Sequence, residues 1–271
     1  MNKIQQLVKA GLCQPEFEFI PDNLCLLSIG GSRAYNTANE NSDVDLWGIC
    51  IPPDKVIFPY EHGYIYGFGK KPIEYGNWQK HHIFEYEIEY DINVYNIVRL
   101  LELARQGNPN IIDMISIPDE MVLFETEAGK FLRQEKNRFY SKNMYPKFRG
   151  FIKNHKLGML ERKNVGRRTG LIDKYGYDVK DAGHCIRCML GLLDLLTIGE
   201  YNIRKHCDLI RDIRNGKYKY KEVVEMIDIG EAKLEEAIKT TTLKEEVSEF
   251  EARNVLLDCI TLQRKNNGHE V

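Results

Sequence analysis

The amino-acid sequence predicts an α+β fold in which a domain with a small sheet precedes an all-helical domain. Three observations lead to this prediction. The run LCLLSI, residues 24–29, is apolar and bounded by turn residues, as expected of a buried strand. The run HIFEYEIEYDI, residues 82–92, alternates between apolar and polar residues with the period of a strand. Beyond about residue 120 such runs disappear and helical spacing dominates. We place the two domains at residues 1–122 and 123–271.

The first domain is predicted to contain short elements separated by turns. Residues 1–11 favour a short helix, and the first strand follows it. Ser32 has the position of an N-cap for one or two helical turns that reach Ala38. A second strand is predicted over residues 44–51, where two prolines end it. Residues 58–80 combine aromatic residues, glycines and charges without a clear period, which indicates a loop or an irregular hairpin.

The alternating run is predicted to be one strand with an apolar face and an acidic face. Phe84, Tyr86, Ile88 and Tyr90 share the apolar face. The next segment, VYNIVRLLELARQG, has helical spacing and ends at Gly107. In the second domain, helices are predicted over residues 125–142, 145–161, 180–198, 203–214, 219–228, 230–240 and 243–265.

The composition indicates a globular protein without an overall positive field. The chain has 271 residues, is 43% hydrophobic and carries a net charge of −2, so a nucleic-acid site would have to be a local basic patch. Seven cysteines, an odd number, lie partly in apolar runs, which favours reduced thiols. The start of the chain is too short and polar for a secretory signal, and no apolar run has the length of a membrane span. We therefore expect a soluble cytoplasmic protein that does not bind membranes.

Two aspartates, Asp43 and Asp45, are separated by one residue at the start of the second predicted strand. On a strand, this spacing directs both side chains to the same face, where their charges repel unless a proton or a cation lies between them. Mg²⁺ takes oxygen ligands from one or two carboxylates and from substrate phosphates, and two ions about 4 Å apart can assist a phosphoryl displacement. Asp91 or Glu89, on the polar face of the alternating run, could complete the metal site.

The Gly-Gly-Ser turn after the first strand offers the complementary half of such a site. Gly31 allows the backbone to approach a ligand, and the helix start at Ser32 provides free N–H groups suited to phosphate. A phosphate-binding turn beside a metal-binding pair of carboxylates predicts a site for a nucleoside triphosphate. Arg33 and Tyr35 follow the turn, and they either contact the ligand or only cover the turn.

Gly31-Ser32 followed by Asp43-Val44-Asp45 resembles the signature of the DNA polymerase β-type nucleotidyltransferase superfamily. More narrowly, GSRAYNTANENSDVDLWGI is similar to the RlaP/YcgL-like branch, whose name is linked to RNA repair. Asn36 departs from the pattern, since a glycine is expected there, and residues 52–80 match nothing in it, which leaves a substrate-specific loop open. The stretches that carry the resemblance are residues 24–51, 89–115 and 175–203.

The resemblance implies a polymerase-β-like nucleotidyltransferase domain followed by a helical domain that closes the nucleotide cleft. It implies that Gly31 and Ser32 hold the β- and γ-phosphates and that Asp43 and Asp45 bind both metal ions, Mg²⁺ or alternatively Mn²⁺. The third carboxylate of the superfamily, which activates the acceptor hydroxyl, maps best to Asp91, with Glu89 as the alternative.

A cationic stripe on one predicted helix is a candidate for the other wall of the cleft. Lys180, His184 and Arg187 are spaced i, i+4 and i+7, so they share one helix face. They either face the triphosphate and neutralise its charge or form a salt-bridged surface. The basic run KNVGRR, residues 163–168, is either a solvated loop or a guide for a polyanionic acceptor.

A cysteine-histidine group in the same region admits a zinc site as an alternative. The two cysteines Cys185 and Cys188 lie within an apolar helical segment, without the loop-borne partner pair of structural zinc sites. Core packing is therefore the preferred interpretation. The possible further ligands are His184, His206 and Cys207.

Together these features predict a magnesium-dependent nucleotidyltransferase that moves NMP from an NTP to a hydroxyl acceptor and releases pyrophosphate. The favoured acceptor is the 3′ end of an RNA, tRNA included. A protein hydroxyl, which would make the reaction AMPylation, and a small molecule such as an aminoglycoside are alternatives within the class. A non-catalytic nucleotide sensor is the alternative outside it, although a pure binder has no need of doubled carboxylates.

Overall fold

The computed structural model describes residues 1–40, 42–57, 75–161 and 170–266. In this part of the chain a five-stranded mixed sheet has the order β3-β4-β2-β1-β5. Strands β2 and β4 are parallel, and the other neighbouring pairs are antiparallel. The strands are β1 (Leu24–Ile29), β2 (Val44–Cys50), β3 (Asn77–Glu85), β4 (Ile88–Asn96) and β5 (Val122–Glu125).

The predictions of the two strands on either side of the Gly-Gly-Ser turn are confirmed. β1 has the predicted bounds, and its burial is nearly complete because both faces of the sheet are covered. Ile49 and Leu26 belong to a large core shared with the helices, whereas Leu46 and Leu27 point to a smaller core with α1 (Lys3–Lys9). Alternate residues of β2 therefore face the helices, and this is the face that carries Asp45.

The alternating run is a hairpin, so the prediction of one long strand is wrong. β3 and β4 are joined at Tyr86 and Glu87, and Tyr86 adopts a positive φ of 56°. The chain reverses there, so part of the supposed apolar face lies at the exposed tip: Phe84 is 57% and Tyr86 97% exposed, whereas Tyr90 is buried. β3 begins at Asn77, within the segment predicted as a loop, and residues 58–74 of that segment lie outside the described residues.

The helix predicted after the alternating run begins later than expected. Val94 and Tyr95 continue β4, and α4 starts at Ile97 because the Asn96 side chain accepts a hydrogen bond from the Val98 N–H. Asn96 is therefore the N-cap.

The short helix after β1 differs from its prediction at both ends. α2 (Gly31–Ala34) has Gly30 at its N-cap, and the Ser32 side chain lies within the first turn without capping it. The helix ends before Ala38 because Asn36 adopts a φ of +56°. Asparagine tolerates this left-handed conformation better than most residues, which explains how it occupies a position where a glycine is expected.

The rest of the described chain is mostly helical. Residues 219–228 and 230–240 form one helix, because Gly230 provides close contact with Met189 rather than a break. The predicted helix 125–142 ends at Gln134 and continues as 3₁₀ turns over Glu135–Phe139. The helices are α3 (Asp54–Ile57), α4 (Ile97–Arg105), α5 (Pro109–Ile115), α6 (Glu127–Gln134), α7 (Met144–Glu161), α8 (Leu171–Tyr175), α9 (Val179–Ile198), α10 (Cys207–Arg214), α11 (Tyr220–Thr240) and α12 (Glu249–Asn266).

The predicted boundary at residues 122 and 123 falls at the start of β5. This strand pairs with Leu26, Leu27 and Ser28 of β1, and the large core continues from the sheet into α9. The division into two domains stays a prediction. Within the described ranges, no helix is both long enough and apolar enough to cross a membrane.

Candidate active site

The paired aspartates and a third carboxylate line one cleft at the start of β2 and β4. Asp45 lies opposite Asp91 in the parallel pairing of the two strands. Since side chains alternate along a strand, both project from the face that carries Asp43. All three carboxylates line a cleft of about 700 Å³. The lining also includes residues of α5, α7, α9 and α10, so the cleft lies between this face of the sheet and the helices.

The Gly-Gly-Ser turn packs against Asp45, the second aspartate of the pair. Gly31 adopts a φ of +54°, and a Cβ atom at this position would overlap the Asp45 carboxylate. The Gly30 N–H donates to the Asp45 carbonyl oxygen at 2.7 Å. Only glycine allows this approach, so the two motifs that are separated in sequence form one structural unit.

Ser32 presents a hydroxyl without a hydrogen-bonding partner among the described residues. Its Oγ atom is buried, and it lines the cleft. A buried polar atom normally has a partner, so this hydroxyl is suited to an external acceptor such as a phosphate oxygen.

Arg33 has a different position from its neighbour in the turn. It donates from Nε to the Asp43 carbonyl oxygen at 3.2 Å and from Nη2 to the Ser42 carbonyl oxygen at 2.9 Å. The guanidinium therefore supports the backbone that leads to the aspartates, and it is not among the residues that line the cleft.

The electrostatics of the carboxylates favour a bound cation. Burial, together with the charges of Asp43 and Asp91, raises the pKa of Asp45 to about 6, and Lys180 and His81 oppose this shift. A cation between the carboxylates would offset both the desolvation and the repulsion. The donors are carboxylate oxygens, the ligands that Mg²⁺ prefers, so the residues present fit this ion.

The cationic stripe of α9 forms the opposite wall of the cleft. Lys180, His184 and Arg187 all line it, as their spacing predicts. The His184 ring stacks on His155 of α7 with 5.2 Å between ring centroids. Burial and the neighbouring positive charges, that of Arg187 first, lower the pKa of His184 well below its ordinary value.

Arg187 is also part of a buried network that the sequence analysis missed. Its Nη1 donates to Asp113 at 2.7 Å, and its guanidinium lies over the Tyr35 ring at 3.9 Å. Asp113 is fully buried and also accepts hydrogen bonds from the hydroxyls of Tyr35 and Tyr201 at 2.8 and 2.6 Å. Tyr35 thus supports Arg187, and it also lines the cleft. In the sequence, the only indication of this role is that Asp113 is an acidic residue within the otherwise apolar segment of α5.

Two arginines of α10 complete the positive wall and were also missed. Arg214 donates to the Thr37 hydroxyl at 2.8 Å, and Arg211 donates to the Asn36 carbonyl oxygen at 2.9 Å. Both line the cleft. Their i, i+3 spacing places them on one helix face, but only the tertiary packing brings that face to the loop after α2.

Glu89, the alternative third carboxylate, lies beside the cleft rather than in its lining. It is 7% exposed, and its Oε1 is 2.6 Å from Nδ1 of His82. Asp91 accepts a hydrogen bond from the His82 backbone N–H at 2.8 Å and contacts His81 at 3.2 Å. The possible ligand atoms of His82, Glu89 and Asp91 all lie within 4.8 Å of one another.

The cysteine pair of α9 is packed in the core, as preferred. Cys185 and Cys188 are buried, and burial raises the pKa of both thiols. Cys207 lies at the start of α10, 3.6 Å from the Asn36 amide nitrogen. The basic run of residues 163–168 lies outside the described residues.

The chain is similar to a phage protein and to a solved structure. An uncharacterized 38.9 kDa protein in the nrdC–mobD intergenic region of Enterobacteria phage T4 is 28% identical over 116 residues, which are 42% of this chain and 32% of the phage protein. The chain thus spans about a third of that relative. A solved nucleotidyltransferase-like protein from Exiguobacterium sibiricum 255-15 aligns over 95% of this chain and 78% of its own, with a TM-score of 0.32 and 11% identity.

The family comparison extends over most of the chain. Residues 14–252 match the model of RlaP, described as the RNA repair pathway DNA polymerase beta family. This match covers the sheet, the cleft and the helices that form its second wall, and it supports a role in nucleotidyl transfer. The chain therefore belongs to the RlaP family of polymerase-β-type nucleotidyltransferases.

Proposed function

We propose that the protein transfers NMP from an NTP to a hydroxyl acceptor, with the 3′ end of an RNA as the favoured acceptor. The observation that carries this proposal is the contact between Gly31 and Asp45, which joins a phosphate-type turn to a group of carboxylates in one cleft. A triphosphate has charges that match both halves: its oxygens suit the turn and the cationic wall, and a metal ion suits the carboxylates.

The chain's own residues have separate roles in the proposed reaction. The hydroxyl of Ser32 and the N–H groups at the start of α2 bind the β- and γ-phosphates. Lys180 and Arg214 face them from the helical wall and neutralise charge on the departing pyrophosphate. Asp43, Asp45 and Asp91 would hold Mg²⁺, or Mn²⁺, which would supply positive charge to the triphosphate.

Bond changes in the proposed reaction balance without a further reagent. The acceptor oxygen attacks the α-phosphorus, the new O–P bond forms, and the bond from the α-phosphorus to the bridging oxygen breaks. Pyrophosphate takes the electron pair, and Asp91 accepts the acceptor's proton. Positioning and charge neutralisation account for most of the rate in such a reaction. The buried free cysteines suit a reducing compartment, and we infer a cytoplasmic location.

The test is incubation with each α-³²P-labelled NTP and Mg²⁺, with RNA or without it, followed by denaturing gels. Label on RNA that is lost in Asp43→Asn is the expected result. Label on the protein alone would favour AMPylation. Binding of the NTP without any product, on RNA, protein or small molecules, would contradict transfer and leave a nucleotide sensor.

A further inference from the structure

A second group of metal-type ligands lies on the edge of the cleft, and the proposed transfer reaction does not use it as a group. His82, Glu89 and Asp91 each direct one possible ligand atom into a region where these atoms are within 4.8 Å of one another. His82 comes from β3, while the two carboxylates come from alternate positions of β4, so the group spans two paired strands. The set contains one imidazole nitrogen and two carboxylates.

The backbone holds the imidazole in this position. The pairing of β3 and β4 is irregular between Lys80 and Ile83, and His82 adopts a φ of +58° within that irregularity. Its N–H is bonded to Asp91, and its Nδ1 is 2.6 Å from Glu89. Ile83 returns to the core. A local kink of this kind redirects one side chain relative to its neighbours in the strand.

The charge around this group favours a cation. Glu89 and Asp91 lie on the face of the sheet that also carries Asp43 and Asp45, so four carboxylates are close to one edge. Glu89 is almost completely buried, where an ionised carboxylate needs compensation. Nδ1 of His82 is 2.6 Å from the Glu89 carboxylate, and a divalent ion between them would add positive charge at this buried group.

We propose that His82, Glu89 and Asp91 form a binding site for a divalent transition metal ion of the Zn²⁺ class, next to the carboxylate pair Asp43 and Asp45. A nitrogen ligand separates this site from the all-oxygen Mg²⁺ site, because imidazole suits Zn²⁺, Fe²⁺ or Ni²⁺ and is a poor ligand for Mg²⁺. His82 is 75% exposed, so the site is open to an ion and to water.

Asp91 belongs to both sites, and this sharing gives the second site a consequence. An ion held by His82 and Glu89 competes for the carboxylate that faces Asp45 across the paired strands. Zn²⁺ is therefore expected to inhibit Mg²⁺-supported transfer. This consequence rests on the proposed function, whereas the binding of Zn²⁺ does not.

The test is titration of the chelator-treated full chain with Zn²⁺ by calorimetry, first without Mg²⁺ and then with Mg²⁺, which competes for Asp91. One tight Zn²⁺ per chain is expected. His82→Asn keeps a residue that tolerates positive φ, and it should weaken this binding at least about 10-fold, since even loss of a group that only supports a ligand costs roughly 10- to 100-fold. Glu89→Gln should weaken it as well.

Asp45→Asn is the matched control, because Asp45 neighbours the group without belonging to it. It should retain tight Zn²⁺ binding while transfer is lost. Equal binding by His82→Asn and the unmodified chain would overturn the proposal, as would loss of binding in Asp45→Asn. In transfer assays, Zn²⁺ should inhibit the unmodified chain but not His82→Asn. A chain that binds Zn²⁺ but shows no transfer would contradict the proposed function and leave the Zn²⁺ site intact.

Discussion

Asp45 and Asp91 lie opposite each other in the parallel pairing of β2 and β4, and Asp45 also lies against the backbone of Gly31. One side chain therefore connects the two strands with the turn at the start of α2. The arrangement concentrates negative charge at the start of β2 and β4, on the wall of the cleft that faces α9. Its cost to the fold and its use in binding can be measured separately.

Asp45→Asn is expected to abolish transfer and to stabilise the metal-free protein. Because burial and two neighbouring carboxylates raise the pKa of Asp45 to about 6, its charged form destabilises the native state at neutral pH. Removing that charge should increase the free energy of unfolding by about 1–3 kcal/mol in a urea titration with EDTA. Asp228→Asn, on the surface of α11, is the control. Retained transfer in Asp45→Asn would contradict the site.

Gly31→Ala is expected to damage the site and the fold together. The added Cβ would overlap the Asp45 carboxylate, and the positive φ is unfavourable for alanine. We expect a loss of about 1–3 kcal/mol in stability and loss of transfer. Gly150→Ala in α7 is the matched control, since nothing lies within 4 Å of its Cβ position. That change should stabilise the protein by roughly 0.5–1 kcal/mol. Normal kinetics for Gly31→Ala would show that the turn is not needed.

Ser32→Ala is expected to weaken binding of the NTP without lowering the stability of the protein. The hydroxyl is buried and has no hydrogen-bonding partner in the described ranges, so its removal should leave the melting temperature unchanged or slightly higher. Loss of a hydrogen bond to a charged phosphate corresponds to about 1.5–3 kcal/mol, which is roughly a 10- to 100-fold rise in KM for the NTP. A lower melting temperature with unaltered KM would indicate a structural role for this serine instead.

Asp113→Asn is expected to destabilise the protein strongly although it lies outside the proposed chemistry. The change leaves the Arg187 guanidinium buried without its counter-charge and disturbs the bonds from Tyr35 and Tyr201. Breaking a buried ion pair costs about 3–5 kcal/mol, measurable by chemical denaturation. Tyr201→Phe removes one bond to the same carboxylate and should cost only about 1 kcal/mol. Similar small losses in both variants would show that the network contributes little.

His184 is expected to make the stability of the native state depend on pH. Burial and nearby positive charges lower the pKa of His184 well below the ordinary 6.5. Below pH 6.5, His184 therefore binds a proton in the unfolded chain while it stays neutral in the native state. This contribution to stability is present above the ordinary pKa and is lost as the pH falls below it. His184→Gln should therefore flatten the decline in melting temperature between pH 7 and pH 5. The same decline in His184→Gln and in the unmodified chain would contradict this role of His184.

Local sequence patterns were sufficient where neighbouring residues decide the structure. LCLLSI predicted β1 with its bounds, and the spacing of Asp43 and Asp45 placed both on the cleft face of β2. The stripe of α9 also followed from spacing alone, since side chains three and four residues apart share a helix face. The cysteine pair of α9 was correctly assigned to the core.

Patterns alone failed where the chain reverses or where distant contacts override propensity. The alternation around Tyr86 has the same period in a hairpin as in one strand, so it could not indicate the reversal. Gly230 looks like a helix break, but its contact with Met189 keeps it helical. Ser32 looks like a cap, but α2 begins at Gly31 with Gly30 as its N-cap, and Gly31 packs against the distant Asp45.

The sequence by itself determined the family, the strands at the turn and the identity of the carboxylates, because these depend on residue type and spacing over short distances. Only the tertiary structure decided that Asp91 lines the cleft while Glu89 turns to His82, since that choice follows from the pairing of three strands. It also brought Asp113 beneath Arg187 and α10 to the loop after α2. Such contacts join residues far apart in the chain, and no local pattern encodes them.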